Sequence, residues 1–261
     1  MLARLRAEGF TVDVLFKEKE GDRLLDRIRE RNPIMIGTFT DCYELYIYNG
    51  SVNFALVEEI KAALPHIPTF VCGIHSTISP DFPKLYPKID LCFVGDVENS
   101  LPKAARCIEN NGDLRQVDGI SFWDNGVLIR NKTVAPTDLG SLPPPFFDPF
   151  FASPGTFRLG LRFAFSRGCI NRCSFCYMHK YKEYTGTEGM GVRYYPVPYL
   201  MDALKQAAKH HNDCKVVYFT YGTFTASKEF TREFCQAFRD SGLPMSFVIA
   251  TRLDRVDEEI A

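Results

Sequence analysis

"LRFAFSRGCINRCSFCYMHK", residues 161–180, decides how the rest of the chain is read. "LRFAFSRG" reads as a strand, and it feeds directly into a loop holding Cys169, Cys173 and Cys176 at the spacing C-x3-C-x2-C. No fourth cysteine stands nearby. A closed structural metal site takes four ligands, whereas a site that must also hold a substrate keeps one position open. Loops at the carboxyl ends of strands are where α/β folds place their chemistry. Thiolates are ligands for zinc and for iron–sulfur clusters. Three of them hold three irons of a [4Fe–4S] cube and leave the fourth iron free for a small molecule.

Two other readings stay open at this point. The thiols could be buried side chains with no metal role, although such spacing in a reducing compartment usually marks metal or redox work. His179 lies three residues after Cys176, and Cys3His is a recognised zinc set, which would make the segment a zinc-stabilised binding module. Zinc clips, however, usually pair two short ligand pairs across a longer gap.

Downstream the pattern alternates. "PYLMDALKQAAKHH" is helical, "KVVYFTYGTFT" a strand and loop, "SKEFTREFCQAFRDSG" a second helix, and "PMSFVIATRLD" a third strand. Three such units do not close a βα barrel, which has eight strands. Upstream, "FTVDVLF", "PIMIGTFT", "IPTFVCGI" and "DLCFVGD" are compact apolar runs bounded by Gly, Pro or Asp and read as strands. "GDRLLDRIRERN" and "NFALVEEIKAAL" carry apolar residues at helical spacing between them. That order gives a parallel sheet with helices on its faces, whose ligands bind beyond the carboxyl ends of the strands, at "GTFTD" (37–41), "CGIHST" (72–77) and "GDVENS" (95–100).

"GISFWDNGVLIRN" (119–131) is a hairpin turning at Asp124, Asn125 and Gly126. The proline-dense "APTDLGSLPPPFFDPFFASPG" (135–155) is a linker whose phenylalanines predict packing. "LARLRAEGF" reads as the end of a helix with no strand before it. "VDEEIA" reads as the start of another helix. Both ends are therefore expected to be cut.

The chain has 261 residues, of which 46% are hydrophobic and 24% charged, with a formal net charge of −1. That is enough apolar content for a real core, and no basic excess suggests a nucleic-acid partner. No apolar run approaches the ~20 residues of a membrane helix, and no signal-peptide pattern opens the chain. Nine cysteines, some inside strand-like runs such as "TFVCG" and "DLCFVG", read as free thiols of a cytoplasmic protein.

The motif after the first strand of an α/β half-barrel, with Phe175 just before the last cysteine, resembles the radical S-adenosylmethionine (SAM) superfamily. A Rossmann-like domain with "GIHST" and "GDVENS", a hairpin and then "SRGC" is similar to the cobalamin (B12)-binding class of that superfamily. The resemblance covers nearly the whole chain. It implies a cobalamin-binding-like Rossmann domain over 1–134 whose first strand is missing, a linker over 135–157, and the N-terminal part of a radical SAM (β/α) partial barrel over 158–261.

The resemblance also implies roles. Cys169, Cys173 and Cys176 would ligate a [4Fe–4S] cluster. SAM would chelate its unique iron and be cleaved reductively to a 5′-deoxyadenosyl radical, with Phe175 and Tyr177 bordering the adenine. Thr220, Tyr221 and Gly222 sit where many members carry acids that meet the SAM amino group, so here backbone would make that contact or the contact is altered. Arg252 matches an arginine assigned to SAM, or else is a surface arginine. Thr38, Thr40, Gly73 and His75 would cradle cobalamin, unless this domain binds no corrinoid. The reaction would be methyl transfer, rearrangement or cyclisation on a small-molecule or peptide substrate. An external flavodoxin- or ferredoxin-type electron donor would serve it, and the fragment alone would be weakly active or inactive.

Overall fold

The computed structural model describes residues 1–40, 51–145, 160–210 and 214–260. Apart from the first two residues they divide into two units, Ala3–Thr137 with His179–Glu188, and Asp138–Met178 with Gly189–Ala261. The division after Thr137 falls inside the segment 135–157 read as a linker.

The first unit is built on a five-stranded sheet in the order β1-β2-β3-β4-β5. Its strands are Ile36–Thr40 (β1), Thr69–Gly73 (β2), Leu91–Phe93 (β3), Ile120–Asp124 (β4) and Val127–Arg130 (β5). β1, β2 and β3 run parallel, with Ile36 opposite Thr69 and Phe70 opposite Leu91, while β4 and β5 add on antiparallel. A parallel strand covered on both faces must be apolar on both. β2 meets this requirement: Phe70 and Cys72 pack with Val97, Leu101 and Ala104, while Val71 packs on the opposite face with Val57 and Phe82. The hairpin turns at Asn125 and Gly126, whose φ of 48° and 78° are the left-handed values a two-residue turn demands.

Three local expectations change. "FTVDVLF" forms no strand, because a strand exists only through ladder partners and none lies beside it among the described residues. "GDVENS" is a loop only at Gly95 and Asp96, since Val97–Glu109 is a helix that buries Val97, Leu101, Ala104 and Ala105 at helical spacing. Residues 258–260 of "VDEEIA", where a helix was expected to begin, form a turn.

In the second unit Leu161–Ala164 (β6), Val216–Thr220 (β9) and Ser246–Ile249 (β10) form a parallel sheet in the order β10-β9-β6. The strand read through "LRFAFSRG" breaks at Phe165. Ser166–Arg167 (β7) leaves that sheet and pairs antiparallel with Arg193–Tyr194 (β8). The break suits Phe165, which is fully buried among Phe219, Phe224 and Phe230. Helix Val197–His210 covers the sheet with Leu200, Met201, Leu204 and Ala207. Helix Lys228–Ser241 adds Phe230 and Phe234; it is capped by the Ser227 side chain accepting from the Phe230 N–H and stopped by Gly242 at φ 62°. Of the linker, Leu139 is buried in this core and the Pro143 carbonyl accepts from the Tyr199 hydroxyl at 3.1 Å. Its phenylalanines lie outside the described residues.

Among the described residues no helix is long and apolar enough to cross a membrane. The aromatic core carries the second unit. Phe234, 0% exposed, meets Phe219, Phe224 and Phe247 at ring distances of 5.1–5.4 Å. Phe234→Ala is expected to cost about 3–5 kcal/mol in urea unfolding followed by far-UV circular dichroism. A loss under about 1 kcal/mol would contradict this packing.

Candidate functional site

Because β6, β9 and β10 are parallel, their following loops leave from one edge of the sheet. The β6–β7 segment delivers the cysteine loop there, β9 delivers Tyr221, Gly222 and Thr223, and β10 delivers Thr251 and Arg252. Gly222 lets the first two loops touch through backbone, and Gly168 lets the cysteine loop pass close to Gly191. Gly222 has φ 75°, and a Cβ on it would lie 3.0 Å from the Gly168 carbonyl oxygen and 3.6 Å from Ser166 Oγ. Gly168 has φ 91°, and a Cβ there would lie 2.9 Å from the Gly191 carbonyl oxygen. Both positions are strained for any L side chain and too close for one. Tyr221 itself takes φ 75°, an uncommon value for a bulky residue and one that marks a constrained turn.

That approach sets Thr223 against the first cysteine. Thr223 Oγ1 lies 3.7 Å from Cys169 Sγ, and Asn171 reaches the same sulfur through its backbone N–H at 3.4 Å and its amide at 3.7 Å. The loop then turns, with the Cys176 N–H donating to the Cys173 carbonyl at 3.0 Å. Arg252, expected at SAM, stands at the same loop. Its guanidinium grips Asp254 at 2.8 and 3.0 Å and stands near enough to Cys173 to feel that sulfur. Asp254 first, and Cys173 after it, raise the arginine above its ordinary pKa. Tyr194 stacks on Phe230 at 4.2 Å, and its phenol is pushed up by burial, with the nearby Cys169 sulfur adding.

The three cysteines differ from the others in setting. Cys169, Cys173 and Cys176 are half-buried thiols on a loop, whereas Cys107 and Cys235, also half-buried, lie on helices and Cys72, Cys92 and Cys214 are buried. Burial pushes the Cys72 and Cys92 thiols up to about 12. Beside the loop cysteines Phe175 is 91% exposed, an expensive place for a phenylalanine with nothing against it. Tyr177 is half-buried. Among the described residues no three His, Cys, Asp or Glu side chains converge as a ready-made cage, so neither the three thiols nor a Cys3His set is drawn together in advance.

At the first unit's sheet, Gly73 ends β2 at the carboxyl edge with Thr40 opposite it, whereas Thr38, expected in the loop, lies mid-strand opposite Val71; the Thr40 side chain lies outside the described residues, as does residue 41. His75 opens the short helix Ile74–Ile78. Its half-buried ring meets Phe82 edge-on at 5.1 Å, and desolvation holds its pKa below the usual histidine value. Residues that sequence reasoning passed over tie these loops together. The Ser76 hydroxyl lies 3.0 Å from both the Gly73 and Phe93 carbonyls and can donate to either, and the Thr77 hydroxyl donates to the Gly73 carbonyl at 2.7 Å while accepting from the Gly95 N–H at 3.0 Å. Asp96, 4% exposed, accepts from the Thr137 N–H at 2.8 Å and the Tyr181 hydroxyl at 3.2 Å. Tyr181 lies on helix Met178–Thr185, whose residues from His179 on group with the first unit.

Residues 163–261 match the Radical SAM superfamily model and residues 1–105 match the B12 binding domain model. The chain thus joins a segment that matches the B12 binding domain to one that matches the Radical SAM superfamily. No curated protein matches it. Among solved structures it is similar to the radical S-adenosylmethionine methyltransferase TsrM from Kitasatospora setae, with tryptophan substrate and a SAM analog bound. There the TM-score is 0.75 at 18% identity over 99% of this chain and 53% of that one. It is also similar to the cobalamin-dependent SAM radical enzyme OxsB with aqua-cobalamin and SAM bound, with TM-score 0.67 at 19% identity over 91% of this chain and 33% of that one. At these identities the likeness is one of fold. The chain spans about half the length of the TsrM chain.

The radical SAM loop fits a soft-metal cluster on its own chemistry. Its three accessible thiols are suitable donors, and Ser166 Oγ, beside the Gly222 backbone, is buried with no hydrogen-bond partner among the described residues. The thiol contrast predicts an order of reactivity. With the metal-free, reduced chain at pH 8, iodoacetamide followed by mass spectrometry is expected to modify Cys169, Cys173 and Cys176 roughly tenfold or more faster than Cys72 and Cys92. The latter two should gain rate only as pH climbs toward 12. Equal rates at all five would contradict the placement of the loop.

Proposed function

We propose that this chain holds a [4Fe–4S] cluster on Cys169, Cys173 and Cys176, binds SAM beside it, and carries cobalamin at the carboxyl edge of the N-terminal sheet. The observation that carries the reading is the three-thiol loop placed at the carboxyl edge of a parallel sheet and packed, glycine on glycine, against the turn after β9. A bound cluster supplies the electron for reductive cleavage of SAM, and a corrinoid supplies a methyl carrier.

The chain's own residues supply position. Phe175 offers an exposed aromatic face to the adenine, and Tyr177 borders it. The backbone of Thr220, Tyr221 and Gly222, with no acid among them, receives the SAM amino group. Arg252 is placed by Asp254 to meet the SAM carboxylate. Thr38, Thr40, Gly73 and His75 line the corrinoid edge, and the low pKa of His75 keeps its imidazole neutral near pH 7. A small-molecule or peptide substrate, a flavodoxin- or ferredoxin-type electron donor and a reducing cytoplasm complete the reading. The net reaction is methyl transfer, rearrangement or cyclisation.

Anaerobic reconstitution tests it. The chain is expected to turn brown and bind about four irons and four sulfides, and to release 5′-deoxyadenosine from SAM when reduced. Cys173→Ala should abolish both, and Cys214→Ala neither. Hydroxocobalamin is expected to stay bound through gel filtration. A colourless chain holding one tight zinc that His179→Ala releases would overturn the reading. Corrinoid passing through unretained would overturn its cobalamin half.

A further inference from the structure

The sulfur of Cys169 sits inside a small donor network that spans two loops. The Asn171 side-chain amide donates to Thr223 Oγ1 at 2.9 Å and to Cys169 Sγ at 3.7 Å, and the Asn171 backbone N–H reaches the same sulfur at 3.4 Å. Thr223 is 4% exposed and lies 3.7 Å from that sulfur. A hydroxyl has one proton to give. Since Thr223 Oγ1 already accepts from Asn171, its own proton is left to point at the sulfur, and once the sulfur is a thiolate it can only accept. The amide thus orients the hydroxyl, and both aim hydrogen at one atom.

This arrangement is held firmly. Gly222 and Gly168 approach through backbone, as described above, which fixes how far Thr223 stands from Cys169. The far side of the same turn is tied to the end of β10, with the Phe224 N–H donating to the Ala250 carbonyl at 3.0 Å and Thr225 bonded to Thr251. A donor fixed by the fold does not need to be ordered when charge appears on the sulfur. Such hydrogen bonds favour the more negative state of an iron–sulfur centre, so they raise its reduction potential.

We propose that Asn171 and Thr223 are positioning residues that hold and polarise the Cys169 sulfur and thereby set the reduction potential of the cluster. The proposal rests on the cluster reading given above. Its effect is on the ease of reduction, with cluster content left unchanged.

The test is the midpoint potential of the anaerobically reconstituted chain, read by electron paramagnetic resonance during a redox titration, with iron and sulfide counted on each sample. Thr223→Val keeps the branched shape and removes the hydroxyl. It is expected to lower the potential by about 59 mV, a tenfold change for a one-electron couple, at full iron content. Thr223→Ser should restore the wild-type value. Asn171→Ala should also lower it, and the double variant should fall by less than the sum, because the two groups act on one atom. If Thr223→Val fails to load iron, Asn171→Ala gives the same reading from a residue outside the core. Fully loaded variants that titrate with the wild-type chain would overturn the proposal and leave the cluster reading intact. A wild-type chain that assembles no cluster would overturn both.

Discussion

The candidate site depends on one close approach, the backbone of Gly222 against the backbone of Gly168. Neither position tolerates a Cβ, since one at Gly222 would stand 3.0 Å from the Gly168 oxygen and one at Gly168 would stand 2.9 Å from the Gly191 oxygen. Positive φ at both adds a conformational cost of about 1–2 kcal/mol for any L residue. The sheet sets up the contact. β6 and β9 are parallel neighbours with Ala164 opposite Thr220, so their loops emerge side by side and at the same height. Thr223, Asn171 and Cys169 then fall within hydrogen-bonding reach, and Arg252 arrives from the next strand over.

Burial sets the strand cysteines apart from those of the loop. Cys72 and Cys92 are fully buried strand residues whose thiols are pushed up to about 12, so they act as small apolar side chains. Cys169, Cys173 and Cys176 sit on a loop, half-buried, with hydrogen-bond donors aimed at the first and an arginine at the second. The first unit uses a different device at its own carboxyl edge. There Ser76, Thr77 and Asp96 knit three loops through backbone groups, which gives a polar rim held in place without metal ligands.

Much of the fold was legible because its signals are local. Apolar runs such as "TFVCG" mark strands buried on both faces, Asn125-Gly126 marks the hairpin turn, and the spacing of Cys169, Cys173 and Cys176 marks the loop. What failed was non-local or disguised. "FTVDVLF" has strand composition, but a strand also needs a neighbour. Pro102 inside Val97–Glu109 interrupts the helical reading although Leu101, Ala104 and Ala105 keep its period. Helix Met178–Thr185 is short and mostly polar outside. Asn171 and Thr223 carry no motif and lie 52 residues apart, so only the β6–β9 pairing shows that they share one sulfur. Arg252 was expected at SAM; its contact with Cys173 depends on a turn after β10 that composition does not encode.

In the proposed site three thiolates hold a cluster and leave one iron open to SAM. Mössbauer spectroscopy on the chain reconstituted with isotopically enriched iron, before and after adding SAM, tests it most directly. One iron site of about four is expected to shift its isomer shift and quadrupole splitting when SAM binds, with the others unchanged. A spectrum that SAM leaves untouched, with every iron in the same all-sulfur environment, would contradict the claim.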